Sequence, residues 1–252
     1  MKALVDWQGR QYEINLDAPL DISLPLRPGI QNVNCFYAPP FEAIPLQEGD
    51  FIGDTRKGSP VNFFNVKINP HGNGTHTECV GHITRERRSI NASLQKFHYF
   101  ARVVSVTPYS QENGDLVIKR SHFEDANYNP FPPALIIRTL PNEPGKKAKN
   151  YSGSNPPYFH FEAIEYLVNQ GVSHLLVDLP SVDKEQDEGK LLAHKAFWNV
   201  PGEVRSKATI TELVYVPSEI EDGMYFLNLQ IAPFELDATP SKPVLYMIRE
   251  VE

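Results

Sequence analysis

Three consecutive stretches, "PALIIRTL" (133–140), "YFHFEAIEYLVNQG" (158–171) and "VSHLLVDLP" (172–180), constrain the fold more than any others in the chain. In the middle stretch Phe161, Ile164, Leu167 and Val168 recur at helical spacing, and Gly171 stands where a C-terminal cap belongs. The flanking stretches are almost continuously apolar, as strands covered on both faces must be. A helix between two apolar strands is the signature of a βαβ unit. Around it lie further strand patterns. "KALVDW" and "QYEINL" flank Gly9-Arg10 as a hairpin. "LDISLPL" (20–26), "FFNVKIN" (63–69), "ARVVSVTPY" (101–109), "DLVIKR" (115–120), "ATITELVYV", "MYFLNLQIAPF" and "VLYMIREV" read as strands, and "GKLLAHKAFWN" as a short helix. The 22 prolines predict rigid loops and strand edges rather than long helices. The class that results is α/β, a mixed sheet with few helices. No repeat, low-complexity segment or composition shift divides the chain, so residues 1–252 are expected to form one domain.

Composition narrows the function classes. The net charge of −7, with no basic block, argues against nucleic acid and against an anionic membrane surface as partners. No apolar run approaches a membrane span, and charges interrupt the first residues too often for a signal peptide. Cys35 and Cys79 are the only cysteines, too few for a disulfide framework, which makes a reducing cytoplasm the expected compartment.

The chemistry concentrates in "NPHGNGTHTECVGHI" (69–83). If residues 75–82 are extended, His76, Glu78, Val80 and His82 share one face, and Thr75, Thr77, Cys79 and Gly81 share the other. Imidazole and carboxylate donors two residues apart on a strand suit one Zn, Mn or Fe ion. A hydrogen-bonded polar face would account for a lone histidine; three histidines and a glutamate within twelve residues point to a site. Gly72 and Gly74 permit positive φ and a close passage of the chain. A tight turn there would let His71 reach the same ion; a plain loop would leave it in solvent.

The stretch "GTHTECVGH" resembles the signature H-x-G-T-H-x-D-x-P-x-H of the cyclase family of metal-dependent hydrolases, which includes bacterial kynurenine formamidase and isatin hydrolase. Gly74-Thr75-His76 match G-T-H and His82 matches the final histidine. Glu78 replaces the family's Asp, Val80 its Pro, and Gly72 its first His, with His71 one residue earlier. Further on, "LLVDLPSVD" (175–183), His194 in "GKLLAHKAF", Glu212 in "ATITELV" and the closing "LNLQIAPFELDATPSKPVLYMI" are similar to later family segments. The resemblance implies a swivelling β/β/α fold and a homodimer or homotetramer. It also implies one or two divalent ions, Zn or Mn, on His76, Glu78, His194 and Glu212, with His71 a candidate fifth ligand. His82 takes the place of the family's acid/base histidine. The implied reaction is attack of metal-activated water on the C–N bond of a formamide or cyclic amide in a small-molecule substrate. Two other readings use the same residues: a small-molecule-binding protein with a degenerate metal site, and a lactone hydrolase or dehydratase.

Other candidates carry less. Cys79, of opposite parity to the histidines, reads as a small buried hydrophobe. His98, His122, His160 and His174 show no paired spacing and read as structural. Arg85, Arg87 and Arg88 read as a solvated charge run or as a grip on a substrate carboxylate. Phe36, Tyr37, Phe63 and Phe64 read either as walls of an aromatic pocket or as core.

Overall fold

The computed structural model describes residues 1–29, 31–124, 128 and 130–251. Its main sheet has ten strands: β1 (Lys2–Trp7), β2 (Arg10–Asn15), β3 (Leu20–Asp21), β4 (His76–Glu78), β5 (His98–Val106), β6 (Ala134–Thr139), β7 (His174–Val177), β8 (Thr209–Glu212), β9 (Gly223–Ile231) and β10 (Ala238–Val251). Four α-helices accompany them among the described residues: α1 (Pro70–Asn73), α2 (Ile90–Ser93), α3 (Phe161–Asn169) and α4 (Leu192–Trp198). None is long and apolar enough to cross a membrane.

Seven strands close into a barrel-like ring, β10–β9–β5–β6–β7–β8–β4 and back to β10. The β5–β6, β6–β7 and β7–β8 pairs are parallel and the remaining contacts of the ring antiparallel. The βαβ unit is β6–α3–β7, and Gly171 follows the helix with φ +91, the left-handed conformation that ends it. The two-residue period explains why both strands carry unbroken apolar runs, Ala134–Ile137 in β6 and Leu175–Val177 in β7. Leu135 and Ile137 of β6, with Leu175 and Val177 of β7, pack against Ala163, Ile164 and Leu167 of α3. Ala134, Ile136 and Leu176 face the other way, into a second cluster with Val103, Leu227 and Leu245. Full burial of one such Leu or Ile side chain contributes about 1.5–3 kcal/mol.

β10 binds the sheet together. Its first residues pair with β4, its middle with β9 and β3, and its end with β2, whose hairpin partner is β1. Several expected strands are shorter or lie elsewhere. Of "LDISLPL" only Leu20–Asp21 joins the ladder, because the Leu24 amide donates instead to the Thr75 hydroxyl at 2.8 Å. "DLVIKR" contributes Leu116–Ile118 to a separate three-stranded sheet, between Tyr109–Ser110 and Tyr158–Phe159. "FFNVKIN" contributes Phe64–Lys67, which pairs only with Glu42–Pro45 and stays exposed along its length. Phe36, Tyr37, Phe63 and Phe64 are all exposed, so they are not core.

Candidate metal centre

The stretch from Asn69 to His82 is not one extended segment. It is a helical turn, a three-residue strand and a 3-10 turn, and this sequence of shapes draws its side chains together. α1 begins with Pro70, and the Asn69 side chain accepts from the Gly72 amide at 3.2 Å. That turn carries His71. Of the two expected uses of the glycines, the left-handed turn is absent, since neither is left-handed and Gly74, at φ 166, is extended. The close passage is present: a Cβ on Gly72 would lie 2.2 Å from the Cβ of Ala38, and one on Gly74 would lie 2.8 Å from Cδ2 of Leu26. They are small so that this segment can press against Ala38 and Leu26.

β4 keeps the expected alternation over His76–Glu78, so both donors share a face. It lies between β8, where Glu212 stands opposite His76, and β10, where Ala238 stands opposite Glu78. The expected extended run to residue 82 fails at Val80, where the 3-10 turn Val80–His82 begins. The bend brings Nδ1 of His82 to 3.8 Å from Oε2 of Glu78. Gly81 is required there because a Cβ would fall 2.3 Å from the Arg88 carbonyl oxygen.

The distant part of the site arrives on α4 and β8. Asp183 accepts from the Ala193 and His194 amides at 2.7 and 3.1 Å, and pairs with Nδ1 of His194 at 2.6 Å. With Nδ1 so engaged, Nε2 of His194 faces Oε1 of Glu78 at 3.1 Å. One Glu212 oxygen accepts from the Val182 amide at 3.1 Å; the other lies 3.4 Å from Nε2 of His76. His76 donates from Nδ1 to the Gly74 carbonyl at 2.9 Å, which directs the Nε2 lone pair inward. His71 places Nδ1 3.2 Å from Oε2 of Glu78.

Thus His71, His76, Glu78, His82, His194 and Glu212 converge on one place, and His71 is in the cluster rather than in solvent. Sequence reasoning missed Asp237, which precedes β10. Its Oδ2 lies 2.8 Å from Nε2 of His71 and 3.4 Å from Nδ1 of His82. It stands in the quoted closing segment, where Asp237 and Pro240 match the D-x-x-P of the family's closing pattern, and that match is the signal that could have found it. Asp183 was likewise inside a quoted segment, but its grip on His194 depends on tertiary contact.

These residues fit a divalent ion. Three overlapping triads offer donor atoms within 4.8 Å of one another: His71–His76–Glu78, His71–His82–Asp237 and Glu78–His82–His194. Nε2 of His76 and Oε2 of Glu78 are fully buried, yet neither has a hydrogen-bond partner. Oε2 lies near His71 and His82 but out of line for a hydrogen bond with either. A buried orphan acceptor is costly unless something else satisfies it. Three of the imidazoles also have the opposite nitrogen fixed by a carboxylate or carbonyl, the arrangement that orients metal-binding histidines.

Without a metal, protons fill the same role. Burial pushes His71 and His194 down, but Asp237 and Glu78 around the first, and Asp183 and Glu78 around the second, outweigh it and raise both to about 10. Burial would raise Glu78, yet His82, His194 and His71 hold it well below its ordinary 4.5. The hydrogen bonds from His71 and His82 lower Asp237 as well. The sign of the consequence is definite. The histidines lend the metal-free protein stability that is full below their ordinary 6.5 and fades as pH rises through about 10. The lowered acids lend stability that is present above their ordinary values and fades on acidification. Metal must displace those imidazole protons. Its affinity is therefore expected to rise with pH between 6 and 9, by about tenfold per pH unit for each proton displaced. Calorimetry in buffers of different ionisation enthalpy counts those protons. A metal affinity flat across that range would contradict the charge states described.

The contact of His71 with Glu78 makes a second expectation. His71→Ala should weaken metal binding on the order of 10- to 100-fold or more, at least the cost of losing a supporting partner. Competition with a chromophoric chelator measures this, and unchanged affinity would make His71 a bystander.

The other candidates lie apart from this cluster or at its edge. Cys35 and Cys79 are free and buried. His98 stacks on Phe226, and His122 bonds the Lys119 backbone and the Thr107 carbonyl. Arg88 pairs with Glu86 at 2.8 Å. With Arg87 it lines a cleft of about 540 Å3 that ends on Asp237.

Comparisons with known proteins agree with this fold. A family model described as "Putative cyclase" matches residues 20–184. No curated protein sequence matches the chain. Among solved structures, a predicted metal-dependent hydrolase from Bacillus stearothermophilus superposes with a TM-score of 0.62 at 14% identity, covering 91% of this chain and 98% of the other. An isatin hydrolase bound to the product analogue thioisatinate gives 0.63 at 14% identity, with 92% of each chain covered. Isatin hydrolase A from Labrenzia aggregata, bound to benzyl benzoate, gives 0.65 at 13% identity, covering 91% and 93%.

Proposed function

This chain belongs to the cyclase family, and from that premise we propose that it is a metal-dependent hydrolase that cleaves the C–N bond of a formamide or a cyclic amide. The observation that carries the proposal is the pair of buried, unpartnered atoms, Nε2 of His76 and Oε2 of Glu78, inside a ring of histidines and carboxylates. His71, His76, Glu78, His194 and Glu212 are the residues that would hold the ion. Imidazole and carboxylate together suit Zn or Mn. When bound, such an ion polarises a carbonyl and lowers the pKa of water toward neutrality.

The remaining chemistry falls to His82 and Asp237. His82 is about one-third exposed, unlike the buried His76 and His194, so a substrate can reach it. Asp237 stands beside its Nδ1 at 3.4 Å, and among the described residues its Nε2 makes no hydrogen bond to the protein. Hydrolysis adds water across the amide: the carbonyl carbon gains oxygen, the C–N bond breaks, and nitrogen gains a proton. His82 takes the proton released by water and gives it to the leaving nitrogen, and Asp237 steadies the imidazolium between the two transfers. The neighbouring Arg87 and Arg88 favour a substrate or product that carries a carboxylate.

The exposed ribbon of Glu42–Pro45 and Phe64–Lys67 presents Ile44 and Val66 to solvent, which supports association of copies into a homodimer or homotetramer. The two free cysteines suit a reducing cytoplasm.

The test is metal analysis of the purified protein paired with a screen of N-formyl anilides, cyclic imides and lactones. Metal-dependent release of an amine or ring-opened acid is expected from the amide substrates. Turnover of lactones alone would move the reaction to ester chemistry. A protein that binds no metal would be a binding protein instead.

A further inference from the structure

At the end of the ring away from the metal centre, a cavity of about 430 Å3 opens beside the first residues of β7 and β8. Its lining includes Lys96, Tyr99, His174, Arg205 and Lys207, and no acidic residue. In a chain of net charge −7 this is an unusual concentration of cations. Nor are the charges neutralised nearby. Among the described residues, none of Lys96, Arg205 and Lys207 pairs with a carboxylate. Arg205 instead donates to the Phe197 and Val172 carbonyls, each at 2.6 Å, and its guanidinium lies over the Phe197 ring. Those bonds fix its position but leave its charge uncompensated.

His174 supplies the second observation. It is only 6% exposed, packs on the Tyr99 ring at 4.1 Å, and shares a 2.9 Å hydrogen bond between Nδ1 and the Thr209 hydroxyl. Among the described residues its Nε2 makes no hydrogen bond to the protein, and the ring lines the cavity. Burial, followed by the charge of Arg205, lowers its pKa to about 4. The pocket thus holds a neutral imidazole next to a guanidinium whose own charge burial disfavours. Serine hydroxyls at Ser93 and Ser206 add polar groups at the rim.

We propose that this cavity is a binding site for a small multivalent oxyanion, a phosphate or a polycarboxylate, held by Arg205, Lys96 and Lys207 with the His174 ring at its floor. The volume suits a small metabolite, and oxyanion recognition by guanidinium and ammonium groups is the strong kind of hydrogen bonding. The site is separate from the metal centre: three residue steps of β8, about 10 Å of strand, carry the chain from Thr209 to Glu212.

Calorimetric titration of the full-length, chelator-treated protein with inorganic phosphate and with citrate tests the proposal. Removing metal first excludes coordination of the anion by an ion at the other centre, and a parallel titration of Arg87→Ala, Arg88→Ala, which should leave the affinity unchanged, excludes binding in the cleft beside it. Binding of at least one probe is expected, and the tighter one identifies the class, phosphate or carboxylate. The double variant Lys96→Ala, Lys207→Ala should weaken it about tenfold or more, and His174→Gln by a smaller factor. Both lysines are exposed, so the double variant leaves folding intact. No heat with either probe up to about 10 mM, weaker than any useful affinity, would overturn the proposal. So would an affinity unchanged in the double variant.

Discussion

Glu78→Gln is expected to abolish turnover and to lower metal affinity by more than about 100-fold, beyond the 10- to 100-fold that loss of an outer hydrogen-bond partner costs. The substitution preserves volume and removes one charge. That charge is the hub of the centre: Oε1 lies 3.1 Å from His194, and Oε2 lies 3.2 Å from His71 and 3.8 Å from His82. In the metal-free variant the buried His194 would face the loss of a counter-ion. Asp183 would still pair with Nδ1 at 2.6 Å, so the ring keeps one counter-ion and loses the other. NMR titration should therefore show the His194 pKa falling below about 10. A variant that keeps wild-type metal affinity would remove Glu78 from the ligand set and the metal reading with it.

His82→Ala should behave differently. We expect turnover to fall by about 10²- to 10⁴-fold, the usual worth of a positioned acid/base, while metal content stays near that of the wild type. The distinction rests on position. His76, Glu78 and His194 are buried, whereas His82 sits at the edge of the cluster, on a turn and against Asp237. Asp237→Asn should reduce kcat in the same direction, because the His82 ring loses the carboxylate that stands 3.4 Å from its Nδ1. Measured together, metal content and kcat separate the two roles. If His82→Ala lost metal in parallel with activity, His82 would be a ligand.

The legible parts of this protein were those governed by short periods. The period-2 run placed His76 and Glu78 on one face, the helical spacing of Phe161 to Val168 gave α3, and apolar runs gave β6 and β7. What the sequence concealed depends on tertiary context. His82 returns to the cluster through a 3-10 turn that no period announces. Gly72, Gly74 and Gly81 read as conformationally free, yet each is small because another part of the chain presses on it. Asp237 meets His71 and His82 only because β10 runs beside β4. "LDISLPL" has a strand's composition, but after Ile22, whose amide still donates to the Pro243 carbonyl of β10, the amides of Ser23 and Leu24 go to the Asp21 and Thr75 side chains.

The place of β10 in the chain sets the timing of folding. β4 has one neighbour near residue 210 and the other at Ala238–Pro240, both far along the chain from His76. During synthesis the ribosome delivers the histidine-rich segment early and both of its flanking strands late. Until then β4 is a strand with two open edges, the kind of surface that pairs with the wrong chain. Contacts of such long sequence separation also form slowly. A nascent chain cut short before Thr239 would retain His71, His76, Glu78, His194 and Glu212, yet it could not seal the ring that holds them. Closure of the ring thus waits on the latest of its seven strands to be made, and metal loading should follow synthesis of Ala238–Val251 rather than precede it.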